Sequence, residues 1–144
     1  VAKRDPLRVI ALALVITGAG IALHGAATTL VLHFAAIAIW TVGEILELPT
    51  RAAVVAAMSP RHARGRYQGA ITLVWGAGHF TAQRLGSALW QWHPAALWWG
   101  CLGLGVVLSL ISLWAAPLWR RRMEQARAEE AEAEAEEMTA AARA

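Results

Sequence analysis

Apolar residues run almost unbroken through about residues 7–27, 32–58, 69–90 and 95–118, and most polar and charged residues collect in the breaks between them. A helix of roughly 20 residues rising 1.5 Å each crosses a hydrocarbon layer about 30 Å thick, so the pattern predicts an all-α, polytopic membrane protein with four transmembrane helices. The first span carries no charge after Arg8, and its Gly18, Gly20 and Gly25 allow a neighbouring helix to come close. The second is long enough to tilt or bend. Pro49 removes one backbone hydrogen bond in its second half, and Ser59-Pro60 ends it. After a membrane region over residues 1–122, residues 123–144 are Ala, Glu and Arg almost throughout. High helix propensity without an apolar stripe predicts a solvated helix or a frayed cytoplasmic tail there.

Two of the four spans carry polar stripes. At 100° per residue, Ile37, Trp40, Glu44, Glu47, Arg51 and Val55 share one face of the second span, with Val42, Leu46, Pro49, Ala53 and Ala56 opposite. In the third, Gln68, Thr72, Trp75, His79, Gln83 and Gly86 line up, while Arg84 lies on the other side near the end. An ionisable group at membrane depth costs about 2.5–3.5 kcal/mol on insertion scales, so such groups turn toward protein or a wet cavity. The second and third spans are therefore expected to line a pathway, with the first and fourth facing lipid.

Within those stripes the candidate pathway residues are Glu44, Glu47, Arg51, His79 and Gln83. Glu44 lies about a dozen residues into its helix, roughly 18 Å of rise and near the midplane. A carboxyl there is either a proton carrier or a group hydrogen-bonded within helix packing. Glu47 and Arg51 are four residues apart in the favourable acid-first order, and form either an intrahelical structural pair or a substrate or gating contact. His79 and Gln83 serve packing or touch substrate. His24, His33 and His93 sit near span ends and read as interfacial polar groups.

Charge adds orientation. The chain of 144 residues is 58% hydrophobic, with a formal charge of +3 and mean hydropathy +0.45. Seven of its ten acidic residues fall between Glu124 and Glu137, so the basic excess lies in the membrane part. Basic residues gather at the chain start, at Arg61, Arg64 and Arg66 between the second and third spans, and at Arg120, Arg121 and Arg122, whereas the alternate connections lack formal charge. By the positive-inside rule both termini are cytoplasmic, in a plasma or bacterial inner membrane. That distribution is topology information and not a nucleic-acid footprint. The stretch with Arg61, Arg64, Gly65, Arg66 and Gly69 is either a topology anchor or a gating latch. Cys101 stands alone in an apolar run and reads as a small packing residue. No serine elbow, HExxH or CxxC pattern appears, so neither enzyme, metal nor cofactor is expected.

At Gly43-Glu44, Pro49, Ser59-Pro60 and Arg64-Gly65-Arg66-Tyr67-Gln68-Gly69 the chain resembles the carboxyl-terminal part of major facilitator superfamily transporters, in particular bacterial efflux members. The resemblance covers about residues 1–122, as helices nine to twelve. It implies that helix ten lines a central cavity, that eleven packs toward the other half, and that nine and twelve face lipid. The implied activity is small-solute transport by alternating access, commonly coupled to protons. Members have about twelve helices, so the chain is expected to be a fragment that lacks an amino-terminal half. The alternative is a stand-alone four-helix protein acting as a homo-oligomeric small exporter or a structural partner. Small multidrug exporters usually carry their intramembrane Glu in the first span, and this first span has none.

Overall fold

The computed structural model describes residues 5–59 and 63–143, and every element within them is a helix: α1 (Pro6–Ala26), α2 (Leu30–Met58), α3 (Arg64–Trp92) and α4 (Pro94–Arg143). Local chemistry sets the ends. Asp5 caps α1 by accepting from the Leu7 amide at 3.2 Å, and Pro6 occupies the first turn, where its missing N–H has no intrahelical partner to lose. Thr29 caps α2 through the Leu32 amide at 3.3 Å. At the other end of α2, the Ser59 hydroxyl donates to the Val55 carbonyl at 2.7 Å. Pro49 stays inside α2, and Pro117 inside α4.

Among the described residues, three helices are long and apolar enough to cross a membrane: α1, α2, and the Pro94–Glu129 stretch of α4. The chain thus has the make-up of a multi-pass membrane protein. The fourth expected span differs. At 29 residues α3 has the length, but Gln68, Thr72, His79, Thr81, Gln83, Arg84 and Ser87, together with five glycines, leave it short of that apolarity. It also begins earlier than about residue 69, because Arg64, Gly65 and Arg66 form its first turn instead of a loop. Residues 123–143 continue α4 as one helix of 50 residues, about 75 Å long. Lys3, Arg4, Pro60, Arg61 and His62 lie outside the described residues.

Packing centres on α1, which lies along both α2 and α4. Small residues make this possible. A Cβ added at Gly20 would stand 2.5 Å from the Trp40 backbone nitrogen, and one at Gly43 would fall on the Thr17 side chain. On the α4 side, a Cβ at Gly105 would come within 2.7 Å of the Leu14 carbonyl oxygen. Without a hydrophobic driving force in lipid, close backbone approach and van der Waals contact hold helices together. Ala11, Ala13 and Ala22 complete that buried seam.

This arrangement changes the expected roles of the helices. α1, expected at the lipid edge, is the most enclosed of the four, whereas α3 has no buried residue. The reason is side-chain size: α1 offers glycine and alanine on several faces, so two neighbours can approach it at once. Phe34, Ile45, Leu73, Phe80, Leu104 and Leu110 point outward, as lipid-facing groups do.

An ion pair fastens one end. Arg120 of α4 meets the Asp5 carboxylate at 2.6 Å, and Arg8 approaches the same group at 3.8 Å. The start of α1 and the end of the apolar part of α4 therefore lie together. Asp5→Ala removes both the cap and the ion pair and is expected to cost about 1–2 kcal/mol. The check is the midpoint of denaturant unfolding in detergent, against an Arg8→Ala control that should move it little. At the opposite end, Trp98 packs over the last turn of α1, where a Cβ at Gly25 would lie 2.6 Å from the indole. Trp90 of α3 meets Trp98 edge-on, with ring centroids 5.8 Å apart.

Candidate functional site

The second half of α2 and the first half of α3 diverge around a crevice of about 800 Å³. Leu48, Arg51 and Val55 face it from α2, and Arg64, Gln68 and Trp75 from α3. The α2 residues stand three or four apart and so share a face, as do those of α3. Most of the wall is apolar. The arginines provide its charge.

Arg51 is held from two sides. Its guanidinium lies 3.2 Å from the Glu47 carboxylate one turn earlier and 4.5 Å from the Trp75 ring centroid across the crevice. The carboxylate anchors the guanidinium at Nε, and the negative face of the indole attracts its charge. Glu47 and Arg51 are both part-exposed, so the pair remains within reach of a solute. His79 extends this arrangement one turn along α3: its ring stacks on Trp75 at 4.9 Å, and its Nδ1 lies 3.3 Å from the Trp75 carbonyl.

The structure thus brings together Glu47, Arg51 and His79 through Trp75, and sets Arg64 and Gly65 into the same crevice wall. Glu44 is exposed on α2 outside that wall, and Gln83 is exposed farther along α3. Arg66 and Gly69 are exposed in the first two turns of α3, with open space around Gly69. Arg61 lies outside the described residues. Arg84 folds over Phe80 on its own helix at 5.6 Å.

The first turn of α3 is electrostatically costly. Two arginines sit at the positive end of a helix dipole, and Ala63 supplies no side-chain cap. Arg64 and Arg51 line the crevice together, the latter paired with Glu47. Trp75 was legible on the polar stripe of α3, but its role as the surface beneath Arg51 was not. An aromatic residue in register with an opposing guanidinium could have revealed it only once the pairing of α2 with α3 was known.

A smaller cavity of about 430 Å³ lies beside it, between Met58, Tyr67 and the Leu118–Glu129 part of α4. Among the described residues no group of three or more metal-ligating side chains occurs. No family model, curated protein or solved structure matches the chain.

Proposed function

We propose that this chain forms part of a carrier that moves a small solute across a membrane by alternating access, coupled to protons and running as efflux. The observation that carries the reading is the α2–α3 crevice: an apolar cleft with a guanidinium held ready by Glu47 and Trp75. Small-molecule sites combine apolar walls with a few fixed polar groups in this way. An apolar cleft with one fixed ion pair beside it suits an amphipathic solute. α3 completes the pathway as the fourth span, its polar stripe sheltered by further helices. The motifs that resemble major facilitator carriers support the same reading, with both termini cytoplasmic in a bacterial inner membrane and the arginines of α3 at that face.

In this reading Glu44, one turn from Glu47 on α2, carries the proton. The test uses inside-out vesicles from cells producing the chain, with an acidified lumen reported by a weak-base dye. A sulphonated naphthalene probe is expected to discharge the proton gradient, and Glu44→Gln is expected to abolish that response. Equal discharge by Glu44→Gln would remove the proton-carrier role, and no discharge by the unaltered chain would contradict transport by this chain on its own.

A second reading rests on α3, which buries no residue within the chain and is free to pack against another copy. It makes the protein a homo-oligomeric small exporter. The detergent-corrected mass of the purified chain discriminates, since a single 15.5 kDa chain excludes it and a defined multiple supports it.

A further inference from the structure

At the end of the molecule opposite the arginines, the short Ala27–Thr29 turn folds α2 back on α1 and sets His24 against His33. Their Nδ1 atoms are 3.1 Å apart, with the ring centroids at 5.4 Å and the planes 27° from parallel. The centroid separation exceeds the nitrogen separation by about 2.3 Å, twice the radius of an imidazole ring. Both nitrogens therefore lie on the line between the rings. The imidazoles meet edge to edge, with their Nδ1 lone-pair directions aimed at each other.

That alignment discriminates between two ligands. A metal ion bound by two nitrogens at about 2.0–2.1 Å on such a line would hold them about 4 Å apart, and a bent arrangement would need lone pairs that converge to one side. A proton needs a nearly straight N–H···N contact about 3 Å long. The observed distance and direction suit the proton.

We propose that His24 and His33 form a site for one shared proton, which holds the ends of α1 and α2 together and opens when both rings are protonated. With one Nδ1–H in the contact, one imidazole donates and the other accepts. A second Nδ1–H would place two donors and two like charges head to head at 3.1 Å, and the rings must then separate. Among the described residues, the surroundings supply no counter-charge. α1 has no charged residue after Arg8, and the next acid on α2 is Glu44, eleven residues or about 16 Å along its helix. From α4 the neighbour is Trp98, its ring centroid 5.9 Å from that of His24, with Cys101 the one titratable group between Pro94 and Trp119. α3 ends at Trp92, with His93 capping it and Arg84 about two turns before its end. Trp98 can accept one imidazolium against its ring but does not neutralise a pair. Acidification on this side would therefore release the α1–α2 turn and the Trp98 packing that rests on it. The proposal does not depend on what the crevice carries.

The test is nitrogen NMR of the full chain in lipid nanodiscs, with labelled histidine and tryptophan. At about pH 8 a coupling across the hydrogen bond is expected between the two Nδ1 atoms, and at about pH 4 it is expected to vanish while the Trp98 indole resonance shifts. His33→Asn keeps a polar group of similar reach but does not titrate, and is expected to lose both the coupling and the acid response of Trp98. Absence of the coupling at about pH 8 in the folded wild type, or its persistence at about pH 4, would overturn the proposal. So would stoichiometric Zn²⁺ uptake that His33→Asn abolishes. The wild-type spectra decide the matter even where the variant fails to fold.

Discussion

Gly43→Leu is expected to separate α1 from α2 and to leave little folded protein. At this position α2 lies so close to α1 that even a Cβ would fall on the Thr17 side chain and within 3.0 Å of the Ala13 carbonyl oxygen. Neither obstacle can rotate away, because one is backbone and the other is wedged between two helices. Overpacking typically costs about 1–3 kcal/mol, and a rigid helix-to-helix contact belongs at the upper end. The measurement is the folded fraction across a denaturant series in mixed micelles. Gly76→Ala on α3, with nothing within 4 Å, provides the contrast: it is expected to be neutral or to stabilise by up to about 1 kcal/mol through helix propensity. Equal losses from both substitutions would mean that the α1–α2 contact is not where the fold is held.

Exchanging the charges of the crevice pair should separate folding from transport. Glu47→Arg combined with Arg51→Glu keeps an ion pair one turn apart, at a cost of about 0.2–0.5 kcal/mol for the less favourable order. It also moves the guanidinium one turn along α2 and turns a carboxylate toward the Trp75 ring. The double variant is expected to fold normally and to transport about tenfold more slowly, the factor that corresponds to losing a contact of about 1.4 kcal/mol. Trp75→Leu should lower transport similarly without touching either charge. Undiminished transport by the exchanged pair would make Glu47 and Arg51 a structural couple only.

Much of this architecture was legible in the residues themselves. Apolar runs of membrane length located α1, α2 and the first part of α4, and the glycines of α1 announced close packing before any neighbour was known. Glu47 and Arg51 were legible as a pair because a spacing of four fixes their meeting on one helix. What could not be read is what depends on how separate helices meet. The central place of α1 arises from small residues on several of its faces, which periodicity along one helix does not distinguish from a lipid-facing surface. The polar content of α3 conceals whether it spans, since its apolar and polar positions nearly balance. Trp75 beneath Arg51 depends on the approach of α3 to α2. His24 and His33 depend on the α1–α2 turn, although the two stand four and five residues from its centre at Thr28, a near-symmetry that an antiparallel helix pair converts into contact.

A water-filled α2–α3 crevice is what the functional account requires above all, and cysteine labelling in membranes tests it most directly. In a Cys101→Ser background, single cysteines replace Ala52, Ala56 and Ile71 on the crevice wall and Ile45 on the exposed apolar surface of α2. A membrane-impermeant maleimide applied from the side of the arginines is expected to modify the three crevice positions and to leave Ile45→Cys unmodified. Protection of all three crevice positions, or equal labelling at Ile45→Cys, would contradict it.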